Sequence, residues 1–319
     1  MVQLMDMLCR RLRNSIRSSI SEEVCDTVLL SGGLDSTIIT AIRKPEYSIT
    51  VGFGSEASDL KYADLAALKF VRKKIKRILS TNEVLRLIEK VIIALKTFDP
   101  ITIRNSVVPY AALEVAHSNG LECVYTGDGC DELFAGYNFL KRYLDNPQRL
   151  ENEISRLRAI MTFPTFSLGD SLNVKIIAPF LNAKVVRLAE SIPTSDLVGF
   201  HRNRLWGKIV LRHCFRDELG EAFCWRKKQA QEEGAGITRI REFILNNNNS
   251  FSFVEEARMA KDKGVTIRDM EHLYYFKIFN SNFSLEERRD CPELTCSGCG
   301  NCVSFLSNYC QLCGQFPVV

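Results

Sequence analysis

Hydrophobic residues recur with helical spacing over residues 4–20, where Leu4, Met7, Leu8, Leu12 and Ile16 form one stripe and Arg and Ser fill the opposite one. The next apolar run, Thr27-Val-Leu-Leu30, is short and reads as a buried strand, and Ile38–Ile42 resumes helical character. Tyr47–Phe53 reads as a second strand, followed by a helix near Asp59–Val71 and a short strand near Ile75–Leu79. Asn82–Thr97 is a strongly periodic helix, Ala111–Ser118 a further helix, and Glu122–Tyr125 a strand. Strands alternating with helices predict an α/β fold built on a doubly wound parallel sheet, which binds ligands at the carboxyl ends of its strands. From about Asn138 to Phe283 the pattern is mainly helical, with a polar loop at Leu245-Asn-Asn-Asn-Asn-Ser250 and no internal repeat.

Composition alters this picture only at the C-terminal end. The 319 residues are 46% hydrophobic and 25% charged, which suits one large domain with an appendage. A net charge of +4 is too small to argue nucleic-acid binding. The basic runs Val71–Arg77 and Trp225–Lys228 read first as solvated faces. No uninterrupted apolar run reaches the roughly 18 residues of a membrane span. The first residues lack a signal-peptide core and cleavage site, so a cytoplasmic protein with no membrane association is expected. Twelve cysteines are present, half of them between Cys291 and Cys313. In a reducing compartment that density reads as a metal site in preference to a disulfide framework.

The first strand runs into Ser31-Gly32-Gly33-Leu34-Asp35-Ser36-Thr37. Two adjacent glycines permit a tight turn and close approach to a ligand, and the unpaired N–H groups at the start of the next helix suit an anion. Ser31, Ser36 and Thr37 add hydroxyls, and Asp35 supplies a carboxylate for a magnesium ion on that anion. The pattern looks like a pyrophosphate cradle; Leu30 before it and Val51, Gly52 and Phe53 at the end of the second strand are further candidates for binding the nucleotide. It is not a Walker-type loop, because no G-x-x-x-x-G-K-[ST] occurs. The strand at Glu122–Tyr125 ends likewise in a glycine turn, Thr126-Gly127-Asp128-Gly129-Cys130-Asp131-Glu132, which carries three carboxylates. Acidic residues at a helix start are commonplace stabilisers of the helix dipole. Beside a phosphate cradle they also serve as a second magnesium ligand and as a carboxylate near the reacting carbon.

Ser-Gly-Gly-Leu-Asp-Ser resembles the PP-loop of the ATP pyrophosphatases, and the chain as a whole resembles the synthetase domain of the class B asparagine synthetases and, more distantly, the β-lactam-forming synthetases. Leu29–Thr37, Phe98–Ser106 and Thr126–Tyr137 carry the match; Ala178–Leu181, Trp206–Arg212 and Trp225–Gln229 agree more weakly. The resemblance implies an adenine nucleotide alpha hydrolase-like fold and an AMP-forming carbon–nitrogen ligase. A carboxylate would be activated by ATP with release of pyrophosphate, and ammonia or an amine would then displace AMP. It implies Mg²⁺ on Asp35 and Asp131, phosphate binding by Ser31, Gly32, Gly33 and Ser36, and charge neutralisation by Lys208 and Arg104. Asp128 stands where the family usually has a glutamate that handles the incoming amine, and Gly127 lies beside it on the nucleotide. The chain starts directly at the synthetase domain, and Cys9 is not placed as a glutaminase nucleophile, so free ammonia or a separate glutaminase is expected. Lys175, Ile177 and Asn182 replace the family's Glu, Arg and Asp, which makes aspartate a doubtful substrate. A homodimer remains an open assembly state.

The tail reads Cys291-Pro-Glu-Leu-Thr-Cys296-Ser-Gly-Cys299-Gly-Asn-Cys302, then Cys310-Gln-Leu-Cys313-Gly314. Cys296/Cys299 and Cys310/Cys313 form two C-x-x-C-G knuckles suited to tetrahedral Zn²⁺. Cys291, Cys296, Cys299 and Cys302 form an alternative set that resembles the zinc site of 7-cyano-7-deazaguanine synthase, another PP-loop enzyme. Residues 1–289 are expected as the ATP-binding domain, helical from about 138, and 290–319 as a zinc ribbon. Zinc ribbons also occur on PP-loop enzymes that thiolate tRNA, so an RNA-modifying enzyme, with tRNA as partner, is the alternative. A nucleotide-binding regulator is a third reading.

Overall fold

The computed structural model describes residues 2–227, 231–247, 250–285, 291, 293–305 and 307–318. Its centre is a short strand, β1 (Thr27–Leu29), flanked by β2 (Tyr47–Phe53) and β4 (Cys123–Tyr125). With β3 (Lys73–Leu79) and β5 (Lys175–Ile177) outside them, the sheet order is β3-β2-β1-β4-β5, all parallel. This is the doubly wound sheet expected from the alternation. Val28 pairs with Ser48 on one side and Tyr125 on the other, so β1 is where the winding reverses. The carboxyl ends of β1 and β4 therefore diverge at a topological switch point, the ordinary place for a ligand in an open α/β sheet.

Helices α1 (Val2–Ser21), α2 (Leu34–Arg43) and α3 (Ser58–Phe70) cover one face, where Leu12, Ile16 and Ile20 pack with Ile38, Ala63 and Ala66. Helices α4 (Thr81–Leu95) and α5 (Pro100–Ser118) cover the other through Val84, Ile88, Ile103 and Val107. Ser80 and Glu83 make a reciprocal capping box at the start of α4. Helix α5 begins eleven residues earlier than its apolar periodicity indicates (Pro100 against Ala111). Asp99 is its N-cap, accepting from the N–H groups of Ile101 and Thr102 at 3.1 and 3.0 Å, and Pro100 occupies the first turn, where its missing N–H costs nothing.

After the acidic turn come the short helix α6 (Cys130–Leu133), α7 (Pro147–Ile160), α8 (Pro164–Ser171), α9 (Ala183–Glu190) and α10 (Ile209–Cys214). This region is mainly helical, as its pattern indicates, but it also holds β5 and an antiparallel hairpin of β6 (Val198–His201) and β7 (Arg204–Gly207). Strands of three and four residues leave too little periodicity to register. Leu245–Asn247, expected in a loop, close the helix Arg239–Asn247, and Asn248 and Asn249 lie outside the described residues. Lys228 of the basic run and Gln229 of the matching segment also lie outside them, as does the expected 289/290 boundary.

The cysteine tail forms β8 (Leu294–Thr295) and β9 (Cys302–Val303), and its buried residues join the same core as α4 and α5. Thr97 Oγ1 donates to the Gln311 and Leu312 carbonyls at 2.7 and 2.9 Å, and Phe98 N donates to Leu312 O at 2.9 Å. Tyr309 Oη donates to Asp99 Oδ2 at 2.6 Å, so the N-cap of α5 also anchors the tail. Disulfides join Cys9 to Cys214, Cys25 to Cys123 and Cys291 to Cys302; only the last lies in the clustered tail, where it takes the two alternative ligands, while Cys296, Cys299, Cys310 and Cys313 remain free thiols. Among the described residues no helix is long and apolar enough to cross a membrane.

Candidate functional site

Between β1 and β4 lies a cleft of about 700 Å³, within the usual range for small-molecule sites. One wall is the Ser31–Ser36 turn. Gly32 has a φ of +67°, and a Cβ there would lie 2.3 Å from the backbone carbon of Tyr62, so only glycine lets this turn seat on α3. Gly33 precedes the first turn of α2 and donates its N–H to Ser31 Oγ at 3.3 Å, and Ser31 Oγ lies 3.3 Å from Ser36 Oγ. Hydroxyls and helix N–H groups are thus gathered at one point, as an oxyanion requires.

The opposite wall is the acidic turn. Asp35, from the first turn of α2, and Asp131, from α6, converge on a single buried cation, Lys208. Its Nζ is 2.6 Å from both Asp35 carboxylate oxygens and 2.7 Å from Asp131 Oδ1. Burial alone would push the Lys208 pKa down, but the charges of Asp131 and Asp35 outweigh it and hold the value above the ordinary lysine range. Space for this triad depends on Gly136, where a Cβ would lie 1.8 Å from Asp131 Oδ1 and 2.4 Å from Lys208 Cε. Gly136→Ala is expected to displace Asp131 and cost roughly 1–3 kcal/mol or more of stability, as overpacking does, read as a lowered thermal midpoint. An unchanged midpoint would show that the triad tolerates a wider spacing.

Asp128 also faces the cleft. Desolvation raises its pKa to about 6, against the opposing hydrogen bonds of Thr126 and Thr165. Glu132 is raised by burial as well, although Tyr137 Oη donates to it at 2.5 Å.

Of the residues singled out from sequence, Leu30, Ser31, Gly33, Asp35, Ser36, Val51, Gly127, Asp128, Asp131 and Lys208 line the cleft. Gly32 and Thr37 stand behind it, Thr37 fully buried. Gly52 packs against Ala57 and Leu60, and the Phe53 carbonyl accepts from Arg239. Arg104 is turned elsewhere: it donates to Glu232 at 2.6 Å and to Glu271 at 2.7 Å, two carboxylates that meet it from later helical segments. Lys175 and Asn182 are likewise away from the cleft, bonded to Glu23 and Glu22 of the segment that follows α1, and Ile177 is buried.

Sequence reading passed over Arg226, a member of a run taken for a solvated face. Its guanidinium donates to Ser31 O at 3.1 Å and to Asp59 Oδ1 at 2.5 Å and lies 4.1 Å over the Tyr62 ring, which ties the phosphate-type turn to α3. Only the weak segment match around Trp225 could have signalled it. The other basic run is consumed in ion pairs: Lys73 with Glu46, Lys74 and Lys76 with Asp64, and Arg77 with Glu83 and Glu114.

In the tail, Cys296, Cys299, Cys310 and Cys313 are all buried, with their sulfurs within 4.8 Å of one another. Cys296–Cys313 and Cys299–Cys310 are each 3.7 Å apart. Cys291 and Cys302 are joined to each other, so the alternative ligand set is not assembled.

A doubly wound parallel sheet with a Ser-Gly-Gly turn facing an acidic turn across its switch point defines an α/β protein with a nucleotide-type cleft. Residues 7–175, which hold both turns, match the asparagine synthase family. The chain belongs to that family. It is 29% identical over 321 residues to asparagine synthetase B [glutamine-hydrolyzing] of Escherichia coli K12, covering 91% of this chain and 56% of the relative. It is 25% identical over 291 residues to the bovine asparagine synthetase [glutamine-hydrolyzing], covering 85% and 51%. A putative asparagine synthetase of Methanocaldococcus jannaschii is 30% identical over 209 residues, covering 62% and 38%. The chain spans about half the length of the curated relatives it matches.

Proposed function

We propose that the protein is an ATP-dependent carbon–nitrogen ligase that forms AMP. A carboxylate oxygen attacks the α-phosphorus of ATP, the bond to pyrophosphate breaks, and an acyl-adenylate forms. Ammonia or an amine then attacks the carbonyl carbon, AMP leaves, and the proton lost from nitrogen passes to a base. The reading rests on one observation: Asp35 and Asp131, from the ends of two adjacent parallel strands, meet one buried lysine beside the hydroxyl-rich turn. Ser31, Gly33 and Ser36 hold the phosphates, and Lys208 offsets charge on the departing pyrophosphate. Asp35 and Asp131 would hold Mg²⁺ through their hard carboxylate oxygens beside Lys208, whose Nζ fills the point on which the two carboxylates converge in this structure. When bound there, the ion supplies positive charge to the phosphate oxygens.

Asp35→Ala and Asp131→Ala are each expected to cut ATP–pyrophosphate exchange by about 10²–10³ or more, the scale of losing one preorganised electrostatic contact. The fold should persist, because Lys208 keeps one carboxylate in either variant. Full activity in both would refute the assignment.

Asp128 is the base that accepts the amine's proton. With a pKa near 6 it is protonated below that pH and competent above it. The amine-transfer rate should therefore rise through about pH 6, and in Asp128→Asn that limb should disappear. Stability runs the opposite way: the folded state holds this proton more tightly than the unfolded chain, so the Asp128 contribution declines as pH rises through the same range.

The four tail cysteines are proposed to hold Zn²⁺. A Zn–S bond of about 2.3 Å places tetrahedral sulfurs roughly 3.8 Å apart, close to the two 3.7 Å separations. Its docking on Thr97–Asp99 gives the tail a structural role beside the cleft, since Ile101, Thr102, Asn105 and Ser106 of α5 form part of the wall.

A further inference from the structure

Behind the Lys208 loop lies a second, smaller pocket of about 200 Å³, bounded by Gly136 and Gly207. Lys141, Arg204, Arg212 and Lys227 surround it, and Asn138, Arg212 and Lys227 also line the main cleft, so the two spaces adjoin. Among the described residues none of the four cations has a carboxylate within ion-pair distance; Lys141 Nζ donates to Asn138 Oδ1 at 2.9 Å, and Arg212 is spent on backbone carbonyls, donating to Gly207 O at 2.8 Å. Arg204 and Arg212 both lie over Trp206, their guanidinium carbons 4.8 and 4.7 Å from the ring centroid. Burial lowers the Lys141 pKa, and Arg204, Arg212 and Lys227 lower it further, so the cluster repels itself. Asp35 and Asp131 offset part of the Arg212 charge from the adjoining cleft, while Arg204 and Lys227 stay open to water; the repulsion left at Lys141 is what a multiply charged anion would relieve.

We propose that this pocket is a second oxyanion site, which receives pyrophosphate as it leaves the Ser31–Ser36 turn. The inference rests on the ATP-cleaving reading, and Arg212 and Lys227 on the shared wall provide the passage between the two spaces. The same oxyanion chemistry could be met by an acidic group on the acceptor, which the test separates.

The full chain is dialysed against labelled inorganic pyrophosphate with Mg²⁺ and saturating α,β-methylene ATP, so that the main turn is filled by a nucleotide that cannot release pyrophosphate. One pyrophosphate per chain should still bind and change Trp206 fluorescence, and Lys141→Gln/Arg204→Gln should weaken it at least tenfold while nucleotide affinity stays within twofold. Absence of pyrophosphate binding beside the nucleotide, or equal binding by the double variant, overturns the site. An equal loss of nucleotide affinity also overturns it, because the pocket would then be part of the nucleotide site. A fluorescence response to L-aspartate but not to pyrophosphate, abolished by the double variant, overturns the pyrophosphate assignment in favour of the acceptor. If α,β-methylene ATP itself fails to bind, the ATP reading falls, while pyrophosphate binding and its loss in the variant still report on the pocket.

Discussion

Lys208→Met is expected to abolish ATP–pyrophosphate exchange and to destabilise the protein by about 3–5 kcal/mol, the usual cost of stripping one partner from a buried ion pair. The Lys208 side chain is 2% exposed and is the cation for two carboxylates that would otherwise face each other. Two further measurements separate the structural from the catalytic share. Added Mg²⁺ should raise the thermal midpoint of Lys208→Met more than that of the wild type, because a cation that binds only the folded pair stabilises it by mass action. Lys208→Met/Asp131→Asn should regain stability by removing the repulsion, yet remain inactive. A Lys208→Met protein that melts like the wild type and ignores Mg²⁺ would show that the two carboxylates do not need a shared cation.

The second large effect is expected in the tail. Purified protein should contain one zinc per chain, and Cys310→Ser/Cys313→Ser should lose it. Structural zinc is worth about 10–16 kcal/mol in small zinc-finger peptides, far more than the few hydrogen bonds joining Gln311, Leu312 and Tyr309 to Thr97–Asp99. The tail should therefore detach and become protease-sensitive. Asp99 would keep its capping bonds to α5 but lose Tyr309, so nucleotide affinity should fall as well. Zinc-free protein with an unchanged thermal midpoint and unchanged nucleotide binding would sink both the metal site and its link to the cleft.

The parts legible in the sequence were those in which a function fits within one strand–turn–helix. Ser31–Thr37 and Thr126–Glu132 each carry their glycines, hydroxyls or carboxylates in a contiguous string, and their apolar strands place them at sheet ends. What escaped depends on distant partners. Lys208 is 173 positions from Asp35, and its part as their common cation has no local signal. Arg104 has the right neighbours in sequence, but Glu232 and Glu271 claim its guanidinium in space. Arg226 looked solvent-facing because a run of cations does not reveal that Asp59 and Tyr62 lie opposite it. Cys9–Cys214 and Cys25–Cys123 join positions 205 and 98 residues apart, separations that no cysteine spacing encodes.

The contact between Tyr309 and Asp99 spans 210 positions. Helix α5 can form its own hydrogen bonds soon after synthesis, but the surface around its cap stays incomplete until residues 309–314 have been made. Cys310 and Cys313 belong to the same buried cluster as Val84, Ile88 and Ile103, so part of that apolar surface waits uncovered during that interval. Contacts this remote slow folding and prolong exposure to aggregation. A message cut short before that point would yield a chain with both glycine turns present and one side of its core open, a product for chaperones and proteases to remove.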